Sequence, residues 1–139
     1  MAELVAKKSK DPSTQIGAVI VGPDNEIRST GYNGMPRGCD DDVDGRYERP
    51  EKYYWFEHAE RNAIYNAARM GTSINECTMY LNCGIPCMDC ARGIANSGIV
   101  RIFAKRTDIT KDGRWAEHSK RSLELFNELG VDVRYYDDQ

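Results

Sequence analysis

The sequence predicts an α/β fold of three layers, α/β/α, with a central mixed five-stranded sheet. From residue 58 to residue 136, short β-branched segments alternate with longer segments of helical periodicity, and this alternation requires crossover connections and parallel strands. Nearer the N-terminus, two strand-like segments flank a tight turn, which predicts an antiparallel pair. A length of 139 residues suits a single domain over residues 1–139.

The first part of the chain predicts a helix end, a hairpin and a long loop. The first ten residues predict a helix that stops before Asp11-Pro12, because a residue that precedes proline disfavours helical backbone. Segment 16–22 is apolar and β-branched, segment 26–32 alternates, and the turn residues 23-PDN-25 between them predict a hairpin. Residues 33–52 are rich in glycine, proline and charge, and we expect a long loop there, of a length typical of functional or disordered segments.

The rest of the chain alternates helices with strands. Residues 58–70 carry apolar side chains at helical spacing and predict a helix. A predicted strand at 77–82 follows, then a helix from near Pro86 to Asn96, a strand at 99–105, a helix at 114–130 and a last strand at 131–136.

The composition argues against two classes of partner. The net charge is −3 and the pI is near 5.4, whereas nonspecific nucleic-acid binding requires a concentrated basic surface. Apolar runs stay far below the roughly 18 residues that span a bilayer. The N-terminal apolar run is too short for a signal peptide, so we expect a cytoplasmic protein with neither a nucleic-acid nor a membrane partner.

The cysteines predict a metal site rather than disulfides. Five cysteines cannot all pair within the chain, and an odd number suits a reducing compartment. Three of the five lie within 83-CGIPCMDC-90. Cys87 and Cys90 are three residues apart at the start of a predicted helix, so both thiols lie on one face near its N-terminus. The helix dipole there favours thiolate, the form that binds metals.

His58 is the predicted third ligand. It begins another helix of the α/β alternation, and the starts of helices in consecutive crossovers meet at one edge of a sheet. One imidazole and two thiolates favour Zn²⁺, and we expect one ion per chain. Three protein ligands leave one tetrahedral position open, which is typical of catalytic zinc. Cys83 leaves an alternative open, because as a fourth ligand it would make the zinc structural; we expect it instead to line the pocket.

Glu60 is the predicted catalytic residue. It lies two residues after His58, close enough to a metal-bound water to carry protons without ligating the ion. H-x-E followed 29 residues after the histidine by P-C-x-x-C is the signature of zinc nucleobase deaminases. By contrast His118, on the polar side of the last predicted helix, is expected to be a surface residue.

The motifs support a family resemblance. The segments 9-SKDPSTQIGAVIV-21, 31-GYNGMPRGCDDD-42, 58-HAERNAI-64 and 86-PCMDC-90 resemble the deoxycytidylate (dCMP) deaminases of the cytidine deaminase superfamily. The resemblance covers nearly the whole chain and implies a cytidine deaminase-like fold, with zinc on His58, Cys87 and Cys90.

The resemblance also implies the reaction. Glu60 would protonate cytosine N3, assist the attack of hydroxide on C4 and help ammonia to leave, so that dCMP becomes dUMP, the precursor of thymidylate. The backbone N–H of Ala59 would bind the base carbonyl, and Asn33 would bind the sugar hydroxyl.

Regulation and assembly are further implications of the resemblance. Such enzymes are homohexamers that dCTP activates and dTTP inhibits, at a subunit-interface site that includes Gly31, Tyr32, Asn33 and Gly34. Mg²⁺ would accompany a triphosphate effector. From the residues themselves, Arg37, Arg46, Arg49 and Arg114 are candidates for binding phosphate, with Arg46 and Arg49 favoured as a pair.

Three other functions remain as alternatives. A bifunctional enzyme would deaminate dCMP and dCTP, and a deaminase of another base, such as cytidine or guanine, would lack phosphate contacts. A non-catalytic, zinc-stabilised nucleotide-sensing module would keep the metal for folding alone. Glu60 counts against this last alternative, because a buried carboxylate without a ligand role carries a desolvation cost.

Overall fold

Five strands form one mixed sheet in the computed structural model, which describes residues 1–108, 113 and 115–136. The strand order is β2-β1-β3-β4-β5. β1 is antiparallel to both β2 and β3, whereas the β3–β4 and β4–β5 pairs are parallel. The mixed five-stranded sheet is therefore confirmed. The strands are β1 (Gly17–Val21), β2 (Ile27–Tyr32), β3 (Thr78–Leu81), β4 (Arg101–Lys105) and β5 (Asp132–Tyr136).

The helices agree with the predicted segments except at two places. Lys52–Trp55 forms a one-turn helix at the end of the predicted loop, and the helix expected to begin near Pro86 begins at Met88, with Cys87 as its N-cap. The first residue predicted for the last helix, 114, lies outside the described residues. Within those residues no helix is both long and apolar enough to cross a bilayer. The helices are α1 (Ala2–Ala6), α2 (Lys52–Trp55), α3 (Ala59–Met70), α4 (Met88–Asn96) and α5 (Trp115–Leu129).

Helices cover both faces of the sheet and make three layers. Successive strand residues point to opposite faces, and β1 is buried along its whole length. Ala18 and Ile20 pack with residues of α3, α4 and α5 in the larger core. Val19 and Val21 pack on the opposite face with Val5 of α1. The larger core is what brings the starts of α3 and α4 together.

Gly31 allows α3 to lie directly against β2. A Cβ atom built on Gly31 would lie 2.3 Å from the backbone nitrogen of Ala63 and 2.5 Å from the carbonyl oxygen of Ala59. Both neighbours are helix backbone, which cannot move aside independently. This glycine of the GYNG motif therefore has a packing role, and its side chain could not be larger without displacing the helix that begins at His58.

We expect Gly31→Ala to destabilise the fold by about 3 kcal/mol, because overpacking against backbone forces α3 away from the sheet. Gly34→Ala is the matched control in the same motif, since no atom lies within 4 Å of a Cβ built there; its effect should stay within about 1 kcal/mol. Urea denaturation of both variants measures the difference, and equal midpoints would contradict this account of the packing.

Candidate metal centre and active site

His58, Cys87 and Cys90 come together although 29 residues separate the first two. His58 is the N-cap of α3, Cys87 is the N-cap of α4, and Cys90 lies in the first turn of α4. Nδ1 of His58 lies 3.5 Å from Sγ of Cys87 and 3.3 Å from Sγ of Cys90. The N-termini of two helices thus bring an imidazole nitrogen and two sulfurs to one point.

The spacing of the three ligand atoms suits a tetrahedral zinc ion. Zinc–nitrogen and zinc–sulfur bonds of ordinary length at a tetrahedral angle put nitrogen and sulfur about 3.6 Å apart, close to the two observed separations. All three atoms lie within 4.8 Å of one another. The donor set, one nitrogen and two sulfurs, is also the one that zinc prefers.

The pKa values of Cys87 and Cys90 are shifted in opposite directions. A hydrogen bond from Cys90, reinforced by His58, lowers the pKa of Cys87 to about 4, so that Cys87 is thiolate at neutral pH. The same contact with Cys87, together with burial, raises the pKa of Cys90. Cys90 therefore keeps its proton until a cation displaces it, and metal binding releases that proton.

Glu60 lies beside this cluster without belonging to it. Its side chain is almost fully buried, with 4% of the residue exposed, and it lines the same cavity as His58 and Cys87. Burial raises the pKa of Glu60, while the nearby His58 opposes the change. A raised pKa makes the protonated form of a carboxyl group easier to reach, which suits a group that both accepts and donates protons.

Cys83 stays outside the cluster of ligands in the described part of the chain. It lines the cavity, and burial raises the pKa of its thiol well above the ordinary value. Its place outside that cluster favours the pocket-lining interpretation of Cys83 and leaves three protein ligands.

The cavity has a volume of about 720 Å³, within the usual range for small-molecule sites. Asn33 also lines this cavity. Hydrogen bonds hold the side-chain amide of Asn33 in one orientation. Its Oδ1 accepts the backbone N–H of Ile16 at 2.9 Å, and its Nδ2 donates to the carbonyl of Thr14 at 2.9 Å. Nδ2 also lies 3.4 Å from Asp11 Oδ2. Only Oδ1 keeps a free lone pair, so Asn33 can offer a ligand an acceptor.

A buried ion pair between Lys52 and Asp11 lies next to the side-chain amide of Asn33. Nζ of Lys52 lies 2.9 Å from Oδ2 of Asp11 and donates to Ser13 Oγ at 3.0 Å. Burial acts to raise the pKa of Asp11, but hydrogen bonds from Lys52 and Ser13 outweigh it and lower the pKa. The sequence analysis did not single out Asp11 or Lys52, which are 41 residues apart and gain their roles only through the fold.

The predicted nucleotide residues do not form one group. Arg49 lines the main cavity, and with Arg46 it also lines a shallower depression of about 500 Å³. Arg46 stacks on Trp55, 3.8 Å from the ring centroid. Among the described residues Tyr32 and Gly34 line neither space; Tyr32 is 41% exposed, and Gly34 forms a β-bridge with Glu57. Gly31 packs against α3 as described above, and Arg114 lies outside the described residues.

His118 is more than the surface residue expected from the sequence. It is half-buried, lines the cavity and accepts a hydrogen bond at Nδ1 from the backbone N–H of Met88, 3.1 Å away. Periodicity assigned His118 to the polar side of α5, but a sequence pattern does not report which element lies opposite that side. No sequence signal would have revealed this contact.

A cluster that suits zinc, with a buried carboxyl group beside it, defines the site of a zinc-dependent hydrolytic deaminase. The chain belongs to the cytidine and deoxycytidylate deaminase family, since the model of that family's zinc-binding region matches residues 1–105. The predicted family and the cytidine deaminase-like fold are thereby confirmed.

Relatives and solved structures agree over most of the chain. A deoxycytidylate deaminase of Homo sapiens is 38% identical over 141 residues, covering 98% of this chain and 75% of that protein. An uncharacterized deaminase of the luxG 3′ region of Aliivibrio fischeri is 40% identical over 135 residues, with 97% and 88% covered. The dCMP deaminase of cyanophage S-TIM5, in complex with dCMP and dUMP, superposes with a TM-score of 0.76 at 25% identity, with 97% and 90% covered.

Proposed function

We propose that this single-domain protein hydrolyses dCMP to dUMP and ammonia and so supplies the precursor of thymidylate. The observation that carries the proposal is the convergence of His58, Cys87 and Cys90 beside a buried, unliganded Glu60. The deoxycytidylate deaminases among the relatives and the cyanophage enzyme with dCMP and dUMP support the choice of substrate. Water replaces the C4 amino group, so the reaction needs no further reactant.

His58, Cys87 and Cys90 would hold the zinc ion. Bound zinc supplies a Lewis acid that makes water nucleophilic near neutral pH. Glu60 would carry both protons of the attacking water. Its carboxylate accepts the first and donates it to N3 of cytosine, and then accepts the second from the new C4 hydroxyl group and donates it to the departing amino group. The raised pKa of Glu60 suits this double role, because burial makes its protonated form easier to reach than that of an ordinary carboxyl group.

Two groups would orient the nucleotide. Ala59 is the first residue of α3, so its N–H has no acceptor within the helix. The side chain of His58, the N-cap residue, forms no capping hydrogen bond. Ala59 N–H would therefore donate to the base carbonyl. Asn33 would accept a hydrogen bond from the sugar hydroxyl, since the free lone pair on its Oδ1 is its only remaining hydrogen-bonding capacity.

We further propose, on the family resemblance alone, that the protein is a cytoplasmic homohexamer that dCTP activates and dTTP inhibits, with Mg²⁺ accompanying the triphosphate. Arg46 and Arg49 around the second depression are the candidates for the effector's phosphates. The effector site would include the GYNG segment, Gly31, Tyr32, Asn33 and Gly34. Sedimentation with and without dCTP tests assembly and regulation together.

Ammonia release from dCMP, dCTP, cytidine and guanine tests the substrate. We expect dCMP to be deaminated with the highest kcat/KM. Comparable turnover of dCTP would instead indicate a bifunctional dCMP/dCTP deaminase, and preference for cytidine or guanine would indicate a pocket without phosphate contacts. A chain that binds zinc but releases ammonia from none of the four would be the non-catalytic nucleotide-sensing module.

A further inference from the structure

One face of α5 contacts the chain on both sides of Cys87. His118 accepts the backbone N–H of Met88 at 3.1 Å, and Ser122, one helical turn later, donates from Oγ to the carbonyl of Pro86 at 2.7 Å. The two contacted peptide groups directly precede and follow Cys87 in the chain. Ser122 is fully buried, so this face of α5 is packed against the segment rather than beside open solvent.

We propose that His118 is a positioning residue for Cys87, and that with Ser122 it holds this ligand in place for the metal. The inference rests on the proposed function only in taking Cys87 as a zinc ligand. In the described part of the chain His118 is not one of the clustered ligand residues; it acts through the peptide group of Met88.

Cys87 has a particular need for such support. It is the N-cap of α4 with an extended backbone, φ −65° and ψ 167°, and its side chain forms no capping hydrogen bond. Met88 is the first residue of α4, so its backbone N–H has no acceptor within the helix. An N-cap side chain ordinarily reaches the second or third N–H group of a helix, and the acceptor for Met88 N–H comes from α5.

The contact also fixes the form of the imidazole. Nδ1 can accept the N–H of Met88 only when it carries no hydrogen, so the neutral ring has its hydrogen on Nε2. Partners that orient metal ligands from behind typically change metal affinity 10–100-fold when they are removed. A comparable effect is expected here, although His118 lies 31 residues from Cys87 in the sequence.

The test compares two substitutions of the same residue. His118→Leu removes the acceptor, whereas His118→Asn puts Oδ1 where Nδ1 was and keeps it. We expect His118→Leu to lose zinc to a chelating dye at least about tenfold faster than the unmodified protein, and His118→Asn to return the rate toward the original value. Lys120→Ala, at an exposed position of the same helix, is the control and should leave the rate unchanged.

Cobalt substitution provides a second measurement that loss of stability alone would not change. The visible absorption of Co²⁺ bound to thiolates reports the geometry of the site, so the spectrum should change in His118→Leu and remain in His118→Asn. Equal release rates in His118→Leu and Lys120→Ala, or an unchanged cobalt spectrum in His118→Leu, would overturn the proposal. So would a release rate in His118→Asn as fast as in His118→Leu.

These measurements use no nucleotide and therefore separate the two proposals. A protein that binds zinc yet deaminates none of the four substrates would refute the proposed function, and the release rates would still decide the role of His118. A protein that binds neither ion would overturn both, because His118 would then have no ligand to position.

Discussion

Glu60→Gln is expected to keep the fold and the zinc ion while kcat for deamination falls by about a thousandfold or more. Glutamine has nearly the shape of a protonated glutamic acid, and it fills the same buried position, which is only 4% exposed. It can neither accept the proton of the attacking water nor return it to the base. Because Glu60 lies outside the cluster of metal ligands, zinc content should remain near one ion per chain.

Initial rates with dCMP, elemental analysis and thermal denaturation together measure this result. Glu128→Gln is the matched control, since it makes the same chemical change at an exposed position of α5 and should leave kcat unaltered. Removal of a buried carboxyl group whose pKa is raised by burial should not lower stability, because its desolvation cost disappears with it. Turnover equal to that of the unmodified protein would refute the proton-transfer role.

The regular elements could be predicted because each shows its own periodicity. Helix α3 was expected over 58–70 and extends over Ala59–Met70; the strand expected at 131–136 extends over Asp132–Tyr136. Burial on one face imposes the period of the element on the sequence itself. A four-residue helix such as α2 is too short to show any period, which is why no helix was predicted at Lys52–Trp55.

The start of α4 shows a different limit. Proline is compatible both with the first turn of a helix and with the residue before an N-cap, so Pro86 alone does not decide between them. The structure puts the N-cap at Cys87. One consequence is chemical: Cys87 keeps an extended backbone, and Cys90, three residues on, still reaches the same point.

The clustering of His58, Cys87 and Cys90 was predictable because the spacing within each motif is local, while the contacts that support the cluster were not. H-x-E and P-C-x-x-C each lie within one helix start, and the sheet topology brings the two starts together. Asp11 and Lys52, or His118 and Met88, meet only across elements that are far apart in the sequence. Their residue types are also common on protein surfaces, so their presence in a sequence does not indicate a buried contact.

Cys87→Ala is expected to lose the zinc ion and, with it, all measurable deamination. Two protein ligands, His58 and Cys90, would remain from a set of three that already leaves one tetrahedral position open. Zinc content after gel filtration should fall from about one ion per chain to near none.

Cys83→Ala is the control for Cys87→Ala, because it removes a thiol from the same cavity that is not expected to bind zinc. Both cysteines line the same cavity, but among the described residues Cys87 belongs to the cluster of three ligand atoms and Cys83 does not. Elemental analysis of both variants should find zinc retained in Cys83→Ala. If Cys83→Ala lost the metal as well, Cys83 would be a fourth ligand, the position needed for water would be closed, and the zinc would be structural rather than catalytic.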